Sequence, residues 1–276
     1  MESKGLKAAL MVPMQGNSKF SPFESGKLEE SLSWLEENGI VGVEPIIADP
    51  EDVELDDFIN GLHKYHLKAT TVVTGQPGNS RVNSYSLSTE DEDLRVSSVK
   101  CVCSHIRNAS EMGAMVTLGL IKGGCIQKSA REKALNQFSR SLSEIVDIAA
   151  SQKVTLLLEP INHMKSGFLN SSQENADYIR TYFEGAPIKL LWDSYQSDME
   201  DGGSEKSLEE IKDKLAHVHY ADTNRLFPGE GEINFESITR KLKDIQYNGF
   251  ITLESFVGSD HDKFKRKAAS FFRHMF

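Results

Sequence analysis

Short apolar runs recur along the chain, and stretches with the three-to-four-residue period of amphipathic helices separate them. The runs fall at 6–12, 42–47, 68–73, 115–121, 154–158, 188–192, 216–220 and 250–253. They are too continuous for one-sided strands and read as strands buried on both faces. Helical period follows at 25–38, 53–65, 88–112, 130–151, 172–183, 204–214, 235–245 and 261–275. Asn38-Gly39 and Gly113 are stop signals, and Ser88-Thr89-Glu90-Asp91-Glu92 reads as a capped helix opening. Strand then helix, eight times over, predicts an α/β fold, a (β/α)8 TIM barrel, with residues 1–276 as one domain. The rival is an open doubly wound sheet, but no G-x-G-x-x-G fingerprint follows the first run. The Gly-, Asn- and Ser-rich segment 75–88 is expected to form a mobile rim after the third strand.

The 276 residues match the usual size of such a barrel. A formal charge of −10 argues against a general nucleic-acid binder and against attraction to anionic membranes. Three cysteines, Cys101, Cys103 and Cys125, make no disulfide framework. Cys101 and Cys103 fall in one predicted helix on different faces and are expected as buried or half-buried thiols. No signal-peptide core and no apolar run near ~20 residues is present, so a soluble, reduced, cytoplasmic protein is expected.

Chemistry concentrates where the late runs end. Glu159 closes the fifth, Asp193 the sixth and Glu254 the eighth, and His219 lies near the end of the seventh. A carboxylate at the end of a buried strand is costly unless a cation pairs with it. Each alone reads equally as a helix cap or salt-bridge partner; four at successive strand ends read as one site, since barrel sites form at that face. Two glutamates, an aspartate and a histidine suit Mn²⁺ first, with Co²⁺ or Mg²⁺ as alternatives, better than structural zinc. His217 shares the face of His219 but lies deeper, and is expected as a packed or supporting histidine.

Several runs carry a further signal: Thr74-Gly75-Gln76, Gly119-Leu120-Ile121-Lys122-Gly123, Glu159-Pro160-Ile161-Asn162, Asp193-Ser194-Tyr195, His219-Tyr220-Ala221-Asp222-Thr223-Asn224-Arg225 and Pro228-Gly229-Glu230-Gly231-Glu232-Ile233-Asn234-Phe235. At these residues the chain resembles the sugar phosphate isomerase/epimerase family of xylose isomerase-like TIM barrels, including ketose 3-epimerases and keto-gluconate epimerases. The resemblance implies one divalent metal ion held by Glu159, Asp193, His219 and Glu254. It implies that Glu159 and Glu254 are also catalytic, exchanging a proton with the carbon beside a carbonyl through an enediolate. It implies Arg225 as a substrate contact, with Gln196, Lys165 and His163 at further substrate positions. There the chain departs from its relatives: Gln196 stands for a histidine, Lys165 for an acid and His163 for an arginine. A lysine in place of an acid suits a carboxylate or phosphate on the substrate. The expected partner is a small carbohydrate, with no nucleic acid or membrane, and the resemblance implies a homodimer or homotetramer. Alternatives are a related lyase or dehydratase, and a catalytically weak sugar-binding subunit. A DNA-repair nuclease, another branch of this superfamily, would need more histidines and a basic groove.

Overall fold

The computed structural model describes residues 5–74, 85–124 and 127–276, without the side chain at 128. The strands are β1 (Lys7–Pro13), β2 (Gly42–Ile46), β3 in two pieces (Lys68–Ala69 and Thr71–Val73), β4 (Met115–Leu118), β5 (Leu156–Leu158), β6 (Ile188–Asp193), β7 (Leu215–Tyr220) and β8 (Phe250–Leu253). Every neighbouring pair is parallel, and β1 pairs with both β2 and β8, which closes the barrel. Thr70 bridges the break in β3: its N–H donates to Val43 and its carbonyl accepts from Met115. The segment expected as a rim at 75–88 lies outside the described residues as far as 84, as do Cys125, Gly75 and Gln76. Cys101 and Cys103 are both buried.

The helices are α1 (Leu28–Glu37), α2 (Asp56–Lys64), α3 (Glu92–Met112), α4 (Arg131–Gln152), α5 (Ser172–Tyr182), α6 (Ser194–Glu200), α7 (Ser204–Ile211), α8 (Phe235–Asp244) and α9 (His261–Met275). Asp91, Ser171, Asn234 and Asp260 each start a helix by accepting a backbone N–H of its first turn. Gly113 ends α3 in the left-handed region at φ 66. Spacing sets which face is covered: α8 buries Phe235, Ile238, Thr239 and Leu242. Truncating Leu242, fully buried there, to alanine would cost about 2–5 kcal/mol. Among the described residues no helix is long and apolar enough to cross a membrane.

Two local features depart from the pattern. The run expected to continue to 121 stops at Leu118 and turns into a short 3-10 segment, Leu120–Lys122. Gly119 leaves strand geometry there (φ −97, ψ −110), and a side chain on it would collide with the Glu159 carboxylate. Helix α6 was not expected. It follows β6 without a loop because Asp193 caps it, its Oδ1 accepting the Gln196 N–H at 3.0 Å.

Candidate metal centre and active site

Strand register builds the site. Asp193 pairs with His219, and His219 with Thr252, so these residues lie in one layer of adjacent strands. Glu159 and Glu254 follow one residue beyond β5 and β8, at the same mouth. One donor atom from each of Glu159, Asp193, His219 and Glu254 lies within 4.8 Å of all the others. Ligand and helix cap are not alternatives for Asp193. Its Oδ1 caps α6, while its Oδ2 turns into the cluster, 4.0 Å from His219 Nδ1.

Below this layer lies a residue that the pattern of apolar runs concealed. Glu44, inside β2, is fully buried and reaches both strand-seven histidines: Oε2 is 3.1 Å from His217 Nε2, and Oε1 is 3.1 Å from His219 Nε2. Thr252 Oγ1 also lies 3.1 Å from His217 Nε2. The sequence signal was there: a lone acid in an otherwise apolar strand needs a partner, and His217 and His219 are two residues apart on one face. A carboxylate beside Nε2 keeps a proton on that nitrogen, so His219 Nδ1, at the mouth, is the atom that would give up its proton to bind a cation. That Nδ1 is buried and has no hydrogen-bond partner among the described residues. An orphaned imidazole nitrogen facing three carboxylates is a donor set that fits a divalent cation of the Mn²⁺, Co²⁺ or Mg²⁺ kind.

Charges within the cluster are unevenly distributed. Burial, then Glu254 and Asp193, push Glu159 up to about 8. Burial also raises Asp193, to about 6, against the pull of Arg225. Burial acts on Glu254 in the same direction, yet Arg225 and then His219 override it and hold that carboxyl well below the usual range. His219 is raised well above its ordinary value, with Glu44 and Glu254 outweighing burial. Glu44 is held down at about 2, burial notwithstanding, by His219 and His217. Arg225 Nη1 donates to Asp193 Oδ2 at 2.8 Å and to the Glu254 carboxylate.

Arg225 is held by an unusual turn. Asn224 and Arg225 both have φ 60, in the left-handed region, which asparagine adopts readily but which costs a residue such as arginine about 1–2 kcal/mol. Asp222 offsets this strain. Its fully buried carboxylate accepts the N–H groups of Thr223 (2.8 Å), Gly229 (2.8 Å), Gly231 (2.9 Å) and Ile233 (3.0 Å). A side chain on Gly231 would strike Asp222 and Thr223, which gives the Pro228–Phe235 run its glycine.

Above the cluster opens a cavity of about 390 Å³, lined among others by Phe20, Asn162, Lys165, Tyr195, Gln196, Arg225 and Phe256. Gln196 Oε1 accepts both the N–H of Asn162 (3.0 Å) and its side-chain amide (2.7 Å). A backbone N–H only donates, so the Gln196 NH₂ is the group left for a ligand. Three of the four expected substrate positions, Arg225, Gln196 and Lys165, therefore share this cavity. His163 does not line it; its exposed ring pairs with Glu200 at 2.6 Å. Lys122 escaped the sequence reading as a site residue. It is fully buried, donates to the Glu159 carbonyl and to that of Leu169 (3.3 Å), and burial lowers it to about 7.

The chain belongs to the xylose isomerase-like TIM barrel family, which it matches over residues 32–275. It is 24% identical to an L-ribulose 3-epimerase of Mesorhizobium japonicum over 253 residues, 90% of this chain and 82% of that protein. A D-psicose 3-epimerase of Enterocloster bolteae is 29% identical over 118 residues, 43% of this chain, and the match spans only 39% of that protein's length. In fold the chain is similar to a D-allulose 3-epimerase from Methylomonas sp. solved with D-allulose (TM-score 0.81, 19% identity, 99% of this chain and 98% of that one). It is also similar to a 3-keto-D-glucoside 4-epimerase from E. coli (TM-score 0.79, 18% identity, 98% and 99% covered).

Proposed function

We propose that this protein is a divalent-metal-dependent epimerase of a keto-sugar or sugar acid, acting through an enediolate. The observation that carries the reading is the convergence of four donor groups at the barrel mouth, one of them a buried imidazole nitrogen without a partner. The names of the four similar proteins given above, each a sugar epimerase, support the same class. We take residues 1–276 as one domain, since buried apolar side chains from Ala8 to Met275 form a single cluster.

Glu159, Asp193, His219 and Glu254 would hold the ion. When bound, it supplies a Lewis acid that makes the C–H beside a coordinated carbonyl more acidic. The chain's own groups then move the proton. One glutamate carboxylate takes it; the C–H pair becomes a C=C bond and the carbonyl oxygen takes the negative charge. The other glutamate, protonated, delivers a proton to the opposite face, and the carbonyl re-forms with inverted configuration. Such a shuttle needs the two carboxyls in different protonation states. The split between Glu159, pushed up, and Glu254, held down, supports that division. Arg225 and the Gln196 amide would bind substrate oxygens.

The test is solvent exchange. Keto-sugars and keto-acids are incubated with the protein and Mn²⁺ in D₂O, and deuterium is located by NMR. Incorporation at the carbon beside the carbonyl is expected; none with any candidate would overturn the reading.

A further inference from the structure

The outer half of the cavity carries charge that the ligand cluster does not use. Lys19 and Lys165 both line it. Lys214 pairs with Glu184, Lys241 with Glu209 and Lys267 with Glu230. Neither Lys19 nor Lys165 has a carboxylate partner among the described residues, and residues 75–84 contain no acid. Among the described residues, the acids lining the cavity are Glu159 and Glu254, both in the ligand set. With a divalent ion, the three carboxylates of that set balance the ion and Arg225. The two lysines remain in surplus, a local positive field in a chain of net charge −10.

Both lysines sit on fixed backbone. Lys165 N–H donates to the Asn162 carbonyl at 2.9 Å, and the Asn170 amide bridges the carbonyls of Ile161 (2.6 Å) and Ser166 (2.8 Å). Gly124 packs so closely under this loop that a Cβ there would come 2.8 Å from the Lys165 carbonyl oxygen. The Lys19 carbonyl accepts the Val257 N–H at 3.0 Å. Its ammonium lies 5.2 and 4.5 Å from the centroids of Phe20 and Phe256, which stack on each other at 5.3 Å. An ammonium resting on ring faces keeps its N–H groups free to bond an anion.

We propose that Lys165 and Lys19 form an anion subsite, which takes a carboxylate or phosphate at the substrate end remote from the reacting carbonyl. This narrows the epimerase reading and rests on it for the remainder of the substrate. The test titrates three unreactive probes, D-glucitol, D-gluconate and D-glucitol 6-phosphate, into the Mn²⁺-loaded protein by calorimetry. At least one anion is expected to bind about 10-fold more tightly than D-glucitol, through charge-assisted hydrogen bonds. Which anion gains decides between carboxylate and phosphate. In Lys165→Met and in Lys19→Met, which keep the apolar stem, the gap should shrink at least about 3-fold, and salt at about 0.5 M should shrink it in the parent. Equal affinity for all three probes, no measurable binding, or a gap unchanged in both variants would overturn the subsite; the last means that the anion sits on the ion alone. A normal gap with no deuterium uptake by any keto-sugar would instead sink the epimerase reading and leave the subsite standing.

Discussion

The floor of the cavity and its rim are held by different means. On the floor, Asp193 and His219 are themselves strand residues, Glu159 and Glu254 follow the next strand ends, and hydrogen bonds between strands set their spacing. Glu44, a strand residue too, supports them from below. On the rim, Lys19, Lys165 and Arg225 lie on loops whose shape depends on single polar side chains, among them Asn162, Asn170 and Asp222. A floor fixed by register cannot shift one residue without turning every side chain of a strand to the other face. A rim fixed by a few side-chain bonds can be rewritten while the barrel stays intact. The proposed proton chemistry therefore falls on the part that strand register fixes, and the proposed recognition on the part that can change.

The comparison breaks first at His219. His219→Ala removes the one neutral donor, and Mn²⁺ affinity should fall by more than about 100-fold, beyond what a supporting residue costs. Elemental analysis and titration measure it; parent-like affinity would show that the floor is not a metal centre. Next come Glu159→Gln and Glu254→Gln, each keeping its shape and one carbonyl oxygen. At saturating Mn²⁺ each should lower turnover by about 100-fold or more, with metal content preserved. Full activity in one of them would make that glutamate a ligand only. Glu44→Gln tests the support below. Its amide donates to His219 Nε2 and moves the imidazole proton to Nδ1, so Mn²⁺ affinity should fall about 10–100-fold although no donor is lost. An unchanged titration would separate Glu44 from the floor.

His105, in α3, is the control, with no expected effect on the floor. It too is fully buried, but neither ring nitrogen has a hydrogen-bond partner among the described residues, and burial lowers it to about 4. The unfolded chain binds the proton near 6.5, so between pH 6.5 and 4 the unfolded state carries more protons. This stability is complete above pH 6.5 and is lost as pH falls towards 4, by about 3 kcal/mol at most. His105→Leu should flatten that part of the pH–stability curve and leave the Mn²⁺ titration unchanged. A curve that keeps its slope would move the acid sensitivity to another group.

What could be read in the sequence follows the same division. Glu159, Asp193, His219 and Glu254 stand at the ends of apolar runs, and run ends are visible in one dimension. Glu44 interrupts a run instead of ending it, and its partners lie more than 170 residues away, at His217 and His219. Helix α6 was hidden because Asp193 uses one oxygen as a cap and the other in the cluster, and the sequence offers these as rival readings. The cavity also divides the expected substrate positions in a way no spacing shows. Gln196 is locked to Asn162 by its oxygen, and His163, one residue on, turns away to Glu200.

The Asp222 carboxylate has a consequence for how the loop above the site moves. Amides at 223, 229, 231 and 233 all end on one anion, so they cannot be released one by one without leaving that buried charge short of donors. Opening is then a cooperative event of the whole turn that carries Arg225. In amide hydrogen exchange these positions should share one protection level, as a single small foldon with its own opening free energy.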